Sequence, residues 1–199
     1  MSINDNTVNI KSRPYHHGDL RAALIEEGLR LLDMRDADAL SLREVARGVG
    51  VSATSVYRHF PDKDALMTAL ALEGLKMLGT AQRLASEAAG GAQAGFAATG
   101  RAYVRFALGH PALFRLIFTS PALTRDHATN GVGGSEAGAL LLTNAARSAG
   151  ANPGADADKG GGDAQVRAVQ AWALVHGIAM LMLDGQIPID MGLIDRAIG

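Results

Sequence analysis

An all-α fold follows from three features of this 199-residue chain. Apolar residues recur at three- and four-residue spacing along several stretches. Capping residues, prolines and glycine-rich breaks punctuate those stretches. No segment alternates apolar and polar residues as a half-buried strand would, and no internal repeat is present. With 48% hydrophobic residues, the chain can bury one substantial core plus a small second domain.

The first helix is expected from about Asp19, a good cap, with Leu20, Leu24, Ile25, Leu29 and Leu32 facing the hairpin that follows and packing on both its helices. Ser41 then opens an S-x-x-E capping box with Glu44, so a second helix starts near Leu42. Leu42, Val45, Ala46 and Val49 share one face, and the small Ala46 allows close approach of another helix. Gly50 ends it, because glycine adopts the left-handed conformation of a tight turn at little cost. Val51 drops into the core and Ser52 caps a third helix, on which Val56 and Phe60 point inward. Ala53, Thr54, Ser55, Tyr57, Arg58 and His59 are left toward solvent or a ligand.

Two short helices joined by such a turn form a helix-turn-helix, and the residues left outside suit a DNA groove. Hydroxyls of Thr54 and Ser55 can bond base edges, the methyls of Ala53 and Thr54 can meet a thymine methyl, and Tyr57 and His59 offer polar tips to phosphate oxygens. A helical hairpin serving as a protein-binding surface is the rival reading. Affinity for DNA that falls steeply with salt separates the two, since phosphate contacts release counterions.

Pro61 and Asp62 stop the third helix and cap a longer fourth, with Leu66, Leu70 and Met77 among its apolar positions, ending near the small-residue stretch at 88–95. A fifth runs through Tyr103 and Phe106 until Gly109 and Pro111 break it before ALFRLIF. The stretches PALTRDHATNGVGGSE and SAGANPGADADKGGGD read as loops. A long apolar helix spans 164–183, where Val166, Val169, Trp172, Val175, Ile178, Ala179 and Met182 make a face too large for one internal neighbour, which points to a partner helix.

Charge and composition exclude more than they suggest. Nineteen basic and 20 acidic residues leave a formal net charge of −1, so only local excesses count: Lys11, Arg13 and Arg21 against Asp19, and Arg43, Arg47 and Arg58 against Glu44. An arm at residues 1–17 holds Arg13 beside Tyr15, His16 and His17, where it can lie against phosphates. Adjacent histidines point in different directions on a helix, which argues against zinc. The absence of cysteine removes disulfides and thiolate ligands and suits a reducing cytoplasm. No apolar run approaches the roughly 20 residues a bilayer needs, and the polar start is unlike a secretory signal, so a cytoplasmic protein with no membrane span is expected. No GxSxG, HExxH or dinucleotide fingerprint occurs, and Gly160 to Gly162 lacks the rest of a phosphate-binding loop, so neither an enzyme nor a cofactor is expected.

The run SLREVARGVGVSATSVYRHF, with PDKDALM after it, resembles the N-terminal domain of the TetR family of bacterial transcriptional regulators over residues 18–66. RPYHHGDLRAALIEEGLRLL, HPALFRLIF and WALVHGIAMLML are similar to the subgroup with a tryptophan-x-x-x-histidine-glycine motif. The resemblance implies a helix-turn-helix DNA-binding domain at 18–63 and a helical ligand-binding and dimerisation domain at 64–199. It implies a homodimer, formed through the last two helices, on a palindromic double-stranded operator. Repression relieved by a small-molecule effector is also implied. His59 stands at a position the family turns to phosphates, and Ser41, where the family more often has threonine, Tyr57 and Lys63 are the other expected phosphate contacts. Ser52 and Arg58 complete the expected DNA-binding set. Met77, Phe106, Leu108, Phe114, Phe118, Trp172, His176 and Met180 are the candidate effector lining, mostly apolar with a few polar points. A packed core would be lined the same way.

Overall fold

The computed structural model describes residues 19–90, 92–130, 138–140, 142–144 and 161–198, and among them helix is the only extended secondary structure. Asp19 caps α1 (Leu20–Leu32), its carboxylate accepting from the Ala22 amide at 3.0 Å. A 3-10 turn at Ala37–Ala39 leads to α2 (Leu42–Val49) and α3 (Ala53–Tyr57). Asp62 accepts from the Ala65 amide at 2.8 Å and starts α4 (Lys63–Ala88), whose 26 residues run out of the N-terminal domain. Then come α5 (Ala92–Gly109), α6 (Pro111–Thr119), α7 (Pro121–Asn130), α8 (Gly161–Leu183) and α9 (Met191–Ile198).

One apolar core runs through both ends of the molecule. Leu24, Val45, Val56, Phe60 and Leu66 close the N-terminal bundle, each at most 2% exposed. Full burial of such side chains contributes about 1.5–3 kcal/mol each. Helix α1 packs chiefly on α2 and α4, and it reaches the residues just beyond α3 through the Arg21 guanidinium, 5.4 Å from the centre of the Phe60 ring. Leu31 of α1, which the helical spacing did not single out, is also buried. At Gly74 a Cβ would lie 2.7 Å from Leu113, so glycine there is what lets α4 and α6 cross closely. Helix α6 also touches α1 and the 3-10 turn. At that joint His110 Nδ1 and Asp33 Oδ1 are 3.0 Å apart. Arg115 of α6 pairs with Asp184 just beyond α8.

The structure corrects the sequence reading in four places. The stretch beginning PALTRDHATN, expected as loop, is helical as α7, because Pro121 stands at the first helical position and Leu123 is buried against the neighbouring helices. Helix α8 begins at Gly161, three residues before the expected start, so two of the three glycines there are helical. Its apolar residues form two faces and not one: Val175, Ile178, Ala179 and Met182 enter the core, while Val166, Val169, Leu174 and Leu181 are exposed. For that reason Gln165–Leu183, 19 residues with a mean hydropathy of 1.5, is long and apolar enough to cross a membrane by length and composition alone, contrary to the expectation that no run comes close. The arm at 1–17, with Arg13, and most of the second expected loop lie outside the described residues.

Candidate nucleic-acid interface and effector core

Local hydrogen bonds fix the α2–α3 hairpin. The Glu44 amide donates to Ser41 Oγ at 3.3 Å, and the Glu44 carboxylate accepts from the Ser41 hydroxyl at 3.0 Å and from Arg35 at 2.6 Å. Those hydrogen bonds, from Ser41 first and Arg35 second, hold the Glu44 carboxyl below its usual pKa. Gly50 has φ +80°, the Val51 amide donates to the Ala46 carbonyl at 2.9 Å, and the Gly50 amide donates to the Arg47 carbonyl at 3.2 Å. This pair of bonds is a Schellman turn, and it sets the angle at which α3 leaves. Ser52 Oγ accepts from the Ser55 amide at 3.2 Å and lies 2.9 Å from Ser55 Oγ, so the two hydroxyls close the start of α3 between them.

Thr54, Tyr57 and Arg58 stand three and four residues apart on one exposed side of α3, with His59 exposed just beyond. Ala53 and Ser55 are half-buried beside them. Tyr57 keeps 48% of its surface open although it is a large aromatic. Arg43 and Arg47, both exposed on α2, add positive charge to the hairpin. Lys63 donates to the Asp38 carbonyl at 2.7 Å, which ties α4 to the 3-10 turn and leaves two of its three ammonium hydrogens for other acceptors. Ser41 is differently placed: its single hydroxyl hydrogen already points at Glu44.

The expected effector residues divide. Phe114 is fully buried, and its ring centre lies 4.9 Å from that of Phe118 and 5.6 Å from that of His176. Phe118 is 4.8 Å from His176 and 6.3 Å from Trp172, so these four side chains form one aromatic cluster. Phe106 faces away from it, its ring centre 5.1 Å from that of His110 with the two planes tilted by 47°, near the joint with α1. Met77, Leu108 and Met180 are half-buried against the core.

Tyr103 is the residue that sequence reasoning passed over, and it organises the cluster. Trp172 Nε1 donates to the Tyr103 oxygen at 3.2 Å, and that oxygen lies 2.8 Å from His176 Nδ1. An indole can only donate, so the Tyr103 oxygen accepts from Trp172; with the neutral imidazole protonated on Nε2, the tyrosine hydrogen goes to Nδ1. Burial pushes the Tyr103 hydroxyl pKa up and the His176 pKa down, which keeps both neutral near pH 7. The available signal was a large aromatic with a polar tip on an inward helix face, which needs a partner. A separate open groove of about 300 Å³ lies between α5 and α8, lined by Gln93, Phe96, Arg167, Gln170, Ala171 and Leu174. None of the expected effector residues borders it.

Comparison with known proteins places both halves. The model of bacterial regulatory proteins of the tetR family matches residues 24–70, and the tetracyclin repressor-like C-terminal domain matches residues 96–198. A solved protein of unknown function from Rhodococcus sp. RHA1 is 36% identical over 94% of this chain and 93% of its own, with a TM-score of 0.70. Two further structures share the fold. The TetR family transcriptional regulator PfmR from Thermus thermophilus is 17% identical, covering 87% of this chain and 93% of its own at a TM-score of 0.58. The TetR family repressor AlkX from Dietzia sp. strain DQ12-45-1b, implicated in biodegradation of n-alkanes, is 19% identical, covering 89% and 93% at 0.52. Curated proteins supply no match.

Proposed function

The chain belongs to the TetR family of bacterial transcriptional regulators, and we propose that it is a homodimeric repressor released from a palindromic operator by a small effector. The observation that supports this best is the exposed side of α3, where a glycine turn presents Thr54, Tyr57 and Arg58 on a hairpin that also exposes two arginines of α2. Residues 18–63 are then the DNA-binding domain and 64–199 the regulatory one. Ala53, Thr54 and Ser55 read bases. Tyr57, Arg58, His59 and Lys63 hold phosphates, with Ser52 at the helix start, Arg13 from the arm, and Ser41 in contact once its hydroxyl turns from Glu44. The Trp172, His176 and Gly177 set is our ground for assigning the tryptophan-x-x-x-histidine-glycine subgroup.

The homodimer forms through α8 and α9. The outer face of α8 leaves Val166 55% and Leu174 47% exposed, and Met191 of α9 is exposed as well. A Cβ on Gly177 would meet nothing within 4 Å among the described residues, so its small size serves an outside neighbour better than an inside one. A twofold axis there sets two reader helices about 34 Å apart, one turn of DNA.

Selection from a randomised duplex library tests the reading. It should recover an inverted repeat. Thr54→Ala should then relax discrimination at one base step by about 1–3 kcal/mol, while Tyr57→Phe and Lys63→Ala weaken binding to all sequences alike. A uniform loss for Thr54→Ala would remove it from base reading.

A further inference from the structure

Next to the aromatic cluster, α4 and α5 bury polar side chains that DNA reading does not use. Asn144 is 3% exposed, and its Nδ2 donates to Thr99 Oγ1 at 3.0 Å and to Ser86 Oγ at 3.3 Å. Thr99, 1% exposed, passes its own hydrogen to the Gly95 carbonyl at 2.9 Å. Gln82 sits one turn before Ser86 on α4 and is 4% exposed, yet its Oε1 meets no partner among the described residues. A buried amide oxygen left this way destabilises the fold, so a group bearing a polar hydrogen belongs beside it.

Position says what else such a group would meet. A Cβ on Gly95 would touch Ser86, which sets α4 and α5 antiparallel with Gln82 level with Thr99. Tyr103 lies one turn further along α5, about 6 Å along the axis, among the rings of Phe118, Trp172 and His176. That distance is close to the length of one aromatic ring with its hydroxyl. A hydroxyl both donates and accepts, so it serves the Gln82 amide whichever way the amide is turned. None of these polar side chains carries a charge, and an ionised ligand would lose its hydration here without a counter-charge from them.

We propose that the effector is a neutral aromatic alcohol, with its hydroxyl on Gln82 and its ring against the Phe118 and His176 end of the cluster. This rests on reading the C-terminal half as an effector-binding domain.

Calorimetric titration of the full-length protein with phenol, toluene and benzoate tests it, with DNA binding measured on the same preparation. Phenol should bind about 3- to 10-fold tighter than toluene, the worth of one hydrogen bond, and benzoate weakest. Gln82→Met, close in volume, should bring the phenol-to-toluene ratio to about one while DNA binding persists, with Gln82→Leu as the second variant should the first fold poorly. Equal binding of phenol and toluene, a phenol preference kept in Gln82→Met, benzoate binding tightest, or no binding of the three while DNA binding holds would each overturn the proposal. Failure of the unaltered protein to bind DNA would overturn the reading beneath it instead.

Discussion

The reader hairpin and the effector core are built by opposite strategies. In the hairpin every defining bond spans a few residues: Ser41 with Glu44, Ala46 with Val51, Ser52 with Ser55. In the effector core the defining bonds join Tyr103 to His176 and Asn144 to Ser86, 73 and 58 residues apart. Local specification yields a rigid part that presents side chains outward. Long-range specification lets a change inside one helix pair reach several others, which suits a domain that must respond to a ligand.

Substitutions can break that contrast, and the largest effect belongs to the core. Phe114→Ala should cost about 3–5 kcal/mol in denaturant unfolding, because a fully buried ring touching Tyr103, Phe118 and His176 is lost and a cavity remains. Gly50→Val should cost less, about 1–2 kcal/mol, since a branched side chain is forced to φ +80°. Its DNA affinity should nonetheless fall further than that of Phe114→Ala measured under folding conditions. Equal affinity loss in the two variants would deny that the turn sets the reader.

Tyr103→Phe should cost about 1–3 kcal/mol in unfolding by stripping His176 Nδ1 of its hydroxyl partner. The smallest effect is with pH. Burial depresses the His176 pKa below its ordinary 6.5, so the unfolded chain takes up a proton before the folded one does. This group's stabilising contribution is present above pH 6.5 and declines as pH falls through that value toward the folded pKa. His176→Gln should flatten that part of the pH–stability curve, and an unchanged curve would place the titration elsewhere.

The same contrast decides what could be read from the amino-acid order. Ser41, Gly50, Ser52 and Asp62 announce their roles because a cap or a left-handed turn is a property of a few consecutive residues. The end of α5 and the start of α6 were legible for the same reason, at Gly109 and Pro111. Helix α7 was not, since threonine, histidine and asparagine have weak helical propensity and packing of Leu123 outweighs it. The two faces of α8 were equally hidden, because an apolar residue on the core side and one on an outer side look the same in sequence. Phe106 shows the limit within a single helix. It lies three residues from Tyr103, yet it turns to His110 and the domain joint, while Tyr103 turns to the cluster.

The most direct measurement is fluorescence anisotropy of the protein with the intergenic duplex upstream of its own coding sequence and with a scrambled duplex, across a salt series. The account predicts tight binding that prefers the upstream duplex and falls with salt at a log–log slope of about −0.9 per phosphate neutralised. Salt-insensitive or absent binding, both to these duplexes and after library selection, would contradict it and assign the hairpin to a protein partner.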